Sequence, residues 1–295
     1  MLNLAPAEGS LSTVKRQSEL VVVARRLAKN PSAVVGFIVA LSLTLMAIFA
    51  PLIAPYPYDK QDLYNTRSAP SAEHIFGTDE LGRDIFSRIV YGSRFSLSIG
   101  FLAVLFSSSI GMVLGAIAGY FGGIVDDIIM RLIDLIQSIP GILLAITISV
   151  VLGPGFFNTL LALGFGMITM ACRLTRAAVL GVRHQEYLEA ATSINASTPR
   201  IILRHIIPNS FAPVLVSATM SIGNVIMAAA MLSFIGLGVQ PPMPEWGSMI
   251  AGGRSLIRSC PWMVTFPGIF IMLAVLALNL FGDGLRDALD PKLKK

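Results

Sequence analysis

The chain has 295 residues, of which 54% are hydrophobic and 13% charged, with a formal net charge of +5. Soluble domains average about 25% charged residues, so this balance excludes a soluble globular domain and describes an integral membrane protein. Two cysteines, Cys172 and Cys260, are too few for a disulfide framework.

In chain order, residues 1–31 form a basic tail, with Lys15, Arg16, Arg25, Arg26 and Lys29 ahead of the first apolar run. Within it, Leu20 to Leu27 sets valines and leucines beside Arg25 and Arg26, the pattern of a short helix on a membrane surface. Asn30-Pro31 marks a break and a new start, since proline fits the first helical turn. A spanning helix needs about 20 mostly apolar residues. The run at 32–54 meets that length and begins too late for a cleaved signal peptide. A polar loop at 55–94 follows. Five more apolar runs, at 95–121, 127–152, 156–180, 210–238 and 263–282, complete six predicted spans, with 95–282 as the transmembrane core and 283–295 as a polar terminus. The run at 127–152 is the least regular, because Asp126, Asp127, Arg131 and Asp134 crowd its start. Asp127 and Arg131 stand four apart on one helical face, where they can neutralise each other.

Lys and Arg mark the cytoplasmic side of a membrane protein. The basic tail, the group Arg173, Arg176, Arg183, Arg200 and Arg204, and the final Lys292, Lys294 and Lys295 share one side if both termini are cytoplasmic. The loops 55–94 and 239–262 then face outward. The first of these holds five Lys/Arg against six acids, so it lacks the cationic excess of the inner segments. Cys172 and Cys260 fall on opposite sides and are not expected to pair. The basic clusters flank apolar runs with no nucleic-acid-binding motif, which assigns them to anionic lipid headgroups. Gly111, Gly115 and Gly119, like Ala228, Ala229 and Ala230, supply the small surfaces through which helices pack closely in lipid.

The most informative stretch is the polar island Glu186 to Pro208, EYLEAATSINASTPRIILRHIIP, between two apolar runs. Tyr187 to Ile194 can form a short helix presenting Glu189, Ala190 and Ala191, whose small side chains let a neighbour approach the backbone. Asn195 suits a left-handed turn. Thr198-Pro199 is predicted to restart a helix as N-cap and first-turn proline, and Pro208 to close the segment. Glu189-Ala190-Ala191, the turn at Asn195 and Ile206-Ile207-Pro208 resemble the EAA loop of binding-protein-dependent ABC importer permeases, with Asn195 standing where the family pattern has glycine. The resemblance implies an all-helical fold of the type I ABC importer kind. It implies an ATPase-docking set of Tyr187, Glu189, Ala190, Ala191, Asn195, Ala196, His205 and Pro208 in the loop 183–208.

Three further strings resemble the second-permease (C-type) subunits of dipeptide, oligopeptide and nickel importers. They are Phe76 to Arg88 (FGTDELGRDIFSR), Ser233 to Pro242 with Glu245-Trp246-Gly247, and Asn279 to Pro291. The outer string is read as a turn at Gly77, an N-cap at Thr78 or Asp79, and a short helix with Asp84 and Arg88 spaced as an ion pair. A loop of this length can contact an extracytoplasmic solute-binding protein, with Thr78, Asp79, Gly82, Arg83, Asp84 and Trp246 as candidates. Trp246 and Trp262 otherwise read as interfacial anchors.

The sequence contains no GxxxxGK[ST] phosphate loop, so ATP and Mg2+ belong to partner subunits and this chain is expected to hold no cofactor. His74, His184 and His205 lack metal-ligand spacing, and no nucleophile elbow or HExxH occurs. An ion-coupled transporter or channel is the rival class, and would place ionisable residues or broken helices near the bilayer midplane. The polar residues within the predicted spans, Gln137, Ser138, Asn158 and Asn224, are candidates to line a path. Family resemblance implies a second permease, two ATPases, a solute-binding protein and a bacterial cytoplasmic (inner) membrane. It favours di- and oligopeptides as solutes, with nickel complexes or glutathione-like peptides as alternatives.

Overall fold

The computed structural model describes residues 19–183, 185 and 196–289, and these are almost wholly helical. The first helix, α1 (Glu19–Lys29), ends at Asn30, whose side chain accepts from the amides of Ser32 and Ala33 and so caps α2 (Pro31–Ile48) with Pro31 in its first turn. A single turn, α3 (Ala50–Ile53), extends α2 to the loop. The helices α4 (Ile85–Phe121), α5 (Gly123–Gln137), α6 (Gly141–Leu152) and α7 (Phe156–Val182) follow.

After the polar island, α8 (Thr198–Ile201), a π-helical turn (Ile202–Ile206) and α9 (Ile207–Phe234) run on as one 37-residue helix. The short α10 (Trp246–Gly253) and the long α11 (Trp262–Leu289) complete the bundle. Five helices are long and apolar enough to cross a membrane, or six if the pair α5 and α6 counts as one span.

Three expectations are corrected. The second span begins at Ile85, ten residues before the predicted start, because Asp84 caps it by accepting from Ser87 N–H at 2.7 Å. Neither Thr78 nor Asp79 is its N-cap. The run 127–152 is not one straight helix: α5 and α6 meet with a bend of 84° at Ser138-Ile139-Pro140, since proline cannot continue the preceding helix. The span predicted from 210 starts at Thr198, with Ser197 as the capping residue and no side-chain capping bond. Pro208 therefore closes nothing. The wider π turn before it, in which Ile207 N–H reaches Ile202 C=O, lets the helix continue past a residue with no N–H to give.

Packing follows the small residues. A side-chain carbon added at Gly115 would meet Cys172 C=O at 2.3 Å, and one at Gly119 would meet Val179 Cβ at 2.8 Å, so α4 and α7 touch backbone to backbone. Gly36 brings α2 against Ala277 and Phe281 of α11 in the same way. The core between the long helices is aliphatic, built on Ile99, Ala103, Val104, Val225, Ala229 and Leu232. Cys172 and Cys260 are both free and buried.

Candidate functional site

At one end of the bundle, the last turns of α4 and α7 meet the returning chain at the foot of the polar island. Ala116 of α4, Val179 of α7, Ile201 and Ile206 are all buried there, with Tyr120, Ala196, Ile202 and Ile207 packed around them. The two strands of chain that enter and leave the island are thus fixed to the same apolar cluster. Ala196 packs on it, His205 is half-buried in the π turn, and Pro208 is exposed. Tyr187, Glu189, Ala190, Ala191 and Asn195 lie outside the described residues.

Two ion pairs tie α5 to α7 near this end. Arg176 donates through Nε and Nη2 to the two carboxylate oxygens of Asp126, a two-pronged pair, and Arg173 donates to Asp134. Asp126 and Asp134 stand eight residues, about two turns, apart along α5, and meet arginines three apart on α7. The predicted Asp127 to Arg131 neutralisation within α5 gives way to these bonds between helices. A planar guanidinium holds a carboxylate more firmly this way than a single-point ammonium can.

At the other end, the loop between α3 and α4 is held by buried charge. Asp79 accepts from the Leu81 and Arg83 amides and from Arg83 Nε at 2.7 Å, while Arg88 Nε lies 3.5 Å away. Arg88 also donates to Tyr58 C=O at 3.0 Å. Asp84 faces His74 Nδ1 at 2.9 Å instead of the expected Arg88. Thr78 Oγ1 accepts from Ser68 N–H, and Trp262 Nε1 donates to Thr78 C=O.

The six residues expected to meet a binding protein, Thr78, Asp79, Gly82, Arg83, Asp84 and Trp246, are all buried within this chain. They frame the loop. Gly82 adopts φ +73°, and an added side-chain carbon would strike Asp62 C=O at 1.8 Å, so only glycine closes this turn. Trp246 is 0% exposed, donates to Ile89 C=O at 3.0 Å and packs near Phe270. It is a core residue, not an interfacial anchor. Glu245, equally buried, caps α10 by accepting from the Gly247 and Ser248 amides. Leu63 and Tyr64 are the large hydrophobic side chains the loop exposes most, the latter fully.

Of the path candidates, Gln137 and Ser138 are exposed at the α5 to α6 bend. Asn224 of α9 is also exposed and lines a cavity of about 230 Å3 with Gly141, Ala145, Leu163, Gly166 and Met167. The first residues of α6, Gly141 and Ile142, line that cavity with Asn224, while Gln137 and Ser138 do not. Asn158 does not join them: its amide donates to Leu152 and Gly153 carbonyls and closes the turn into α7. Serines not singled out from the sequence, Ser107 and Ser108 of α4 and Ser217 and Ser221 of α9, face one small cleft beside α7. Their i, i+4 spacing at Ser217 and Ser221 was the available signal.

A helical bundle with a bent span and a clamped polar island is the architecture of a type I importer permease. Solved structures share it: the methionine ABC transporter MetNI, in an inward-facing form, matches with a TM-score of 0.54 over 70% of this chain and 98% of that chain, at 17% identity. Residues 111–295 match the family described as the binding-protein-dependent transport system inner membrane component, and residues 18–70 match the N-terminal transmembrane domain of oligopeptide transport permease C. The chain belongs to this family of inner-membrane importer permeases. It is the membrane component of an ABC transporter and not its enzyme.

Among relatives, the dipeptide transport system permease protein DppC of Alkalihalophilus pseudofirmus is 49% identical over 92% of this chain and 89% of its own length. The oligopeptide permease OppC of Bacillus subtilis is 42% identical over 92% of this chain and 88% of its own length. A glutathione transport permease, GsiD of Escherichia coli, is 45% identical over 92% of this chain and 89% of its own length.

Proposed function

We propose that this chain is one of two permease subunits of an ATP-driven importer of di- and oligopeptides. Two ATPase subunits would drive it through the island 183–208, and a solute-binding protein would deliver peptide on the face opposite the island. The observation that carries this reading is the apolar cluster of Ala116, Val179, Ile201 and Ile206, which fixes both ends of the island to three long helices. Work done on the island is then passed to the bundle and not lost in a slack loop. The names of the peptide-permease relatives support the solute class. A glutathione-like peptide is the second reading, supported by the 45% identity to a glutathione permease.

In this scheme both termini and the island are cytoplasmic. ATP and Mg2+ sit on the ATPases, whose closure pushes the island and opens the permeases outward, and hydrolysis resets them. The cavity at Asn224 and the bend at Gln137-Ser138 form this chain's part of the path. Contact with the binding protein passes to the exposed Leu63-Tyr64 tip, supported by its exposure beside the rigid, buried Asp79 frame.

The test is reconstitution of the permease pair, ATPases and binding protein in proteoliposomes, with uptake of labelled dipeptide measured with and without ATP. Uptake without nucleotide would refute the scheme. Crosslinking from Glu189→Cys to the ATPase should change with nucleotide, and an unchanged pattern would refute the docking role.

A further inference from the structure

Between α2, α4, α9 and α11 lies an apolar groove of about 730 Å3, larger than the Asn224 cavity and on another face of α9. Leu43 and Ala47 of α2, Leu97 and Phe101 of α4, and Ala274 and Leu278 of α11 line it. One cation stands at its rim. Arg94 of α4 donates through Nε and Nη2 to the carbonyls of Ala47 and Ile48 at 2.6 and 2.8 Å, which leaves Nη1 unengaged in those bonds. Its guanidinium also lies 5.7 Å from the Tyr91 ring centre. Among the described residues no carboxylate pairs with it.

The level of Arg94 in the bilayer follows from α2. Eighteen residues make that helix about 27 Å long, close to the roughly 30 Å of a hydrocarbon core. The carbonyls that Arg94 caps are those of its last turn, about one turn short of the end of α3, so the guanidinium stands within reach of the hydrocarbon boundary on the side of the 54–84 loop. That is the depth of phospholipid phosphates, and an arginine beside a tyrosine is the composition of the interface. Below it the groove offers only apolar surface, apart from Thr44 and Ser98, and the Thr44 hydroxyl is already spent on Ala40 C=O at 2.8 Å.

We propose that this groove is a phospholipid site, with the lipid phosphate on Arg94 and one acyl chain lying along α2 and α4 toward Leu43. A partner helix would satisfy the apolar lining but would leave the arginine without its counter-charge, whereas a phosphodiester joined to a hydrocarbon chain satisfies both. The lipid would add to the packing of α2 on α11 and to the Arg94 bonds in holding the first span to the core.

The test uses the intact complex in nanodiscs of phosphatidylethanolamine and phosphatidylglycerol, doped with phosphatidylglycerol carrying a photoreactive acyl chain. Labelling should concentrate on Leu43, Leu97 and Phe101 and exceed that at Val151, a surface residue 78% exposed. Arg94→Gln should lower the groove labelling about fivefold, the loss of one basic contact to a lipid phosphate. Because Arg94 also caps α2, a second variant separates lipid loss from unfolding: Thr44→Phe with Ser98→Phe fills the groove and leaves the arginine bonds in place, and it should abolish labelling with no loss of complex. Labelling no higher than at Val151, labelling unchanged in both variants, or a Thr44→Cys crosslink to the second permease in place of lipid would each overturn the proposal.

Discussion

Gly115 gives the sharpest test of how the bundle is held. A side-chain carbon there would sit 2.3 Å from Cys172 C=O and 2.8 Å from Thr175 Cβ. Ordinary contact begins at 3.4 Å, so Gly115→Ala forces α4 and α7 apart by about 1 Å at a level where both neighbours are helix backbone or Cβ. Neither can rotate away. Overpacking of this kind costs ~1–3 kcal/mol, against a helix-propensity gain of ~1 kcal/mol for replacing glycine by alanine, and the net effect is a loss. Gly268→Ala in α11 is the control: nothing lies within 4 Å of its added carbon, so only the propensity gain remains. Thermal unfolding of the purified protein can be followed with a thiol-reactive dye, because Cys172 and Cys260 are both buried until the bundle opens. Cys172 lies in the strained contact itself. Gly115→Ala should melt lower than the parent by several degrees, and Gly268→Ala should melt at or above it. If Gly115→Ala melts with the parent, the close backbone contact of α4 and α7 is not what holds them.

Three further outcomes are expected. Asp126→Ala should destabilise the protein by ~1–3 kcal/mol by leaving Arg176 without its two-pronged acceptor, and the exchange Asp126→Arg with Arg176→Asp should recover part of that loss in the same melting assay. Trp246→Phe should cost ~1 kcal/mol for the lost bond to Ile89 C=O and Trp246→Ala ~3–5 kcal/mol for the cavity; in the parent, Trp246 emission should resist quenching by aqueous acrylamide. The Asn65 side-chain amide and the Tyr64 N–H hold the Asp62 carboxyl below its ordinary value. Its contribution to loop order is therefore complete above the ordinary carboxylate value near ~4 and lost as pH falls through the lowered one. Hydrogen exchange of the 54–84 loop should rise more steeply below pH ~4 in the parent than in Asp62→Asn, and identical profiles would contradict the assignment.

The spans were legible because lipid imposes a length on apolar runs, and the glycine stripe because close helix approach in lipid selects small residues. A short helix carrying Arg88 was legible, but its continuity with the second span was not: Arg88 looks like a loop residue, and its pairing with Asp79 and Tyr58 lets it be buried. Pro140 marked the bend in the run 127–152, but the apolar content on both sides hid it. Trp246 was misplaced by a general preference of tryptophan for the interface, which a hydrogen bond to Ile89 overrides. The loop string FGTDELGRDIFSR was read as a contact surface from the length of its loop, whereas Asp79, Arg83 and Arg88 pair with one another and Asp84 pairs with His74 inside the fold. The motif Glu189-Ala190-Ala191 was the clearest in the sequence and lies outside the described residues. What is described at its foot, the apolar clamp, comes from residues scattered over four elements and has no signature in any one of them.

The unbroken passage from Thr198 to Phe234 has a geometric consequence. Thirty-seven residues make a rod of about 55 Å, nearly twice the thickness of the oily layer it crosses, with its lower end rooted beside the island. A rocking motion of roughly 5° about its centre would carry each tip about 2 Å in opposite directions. If the island is pushed as proposed, a small nudge at one end would be returned, reversed in sense, at the other.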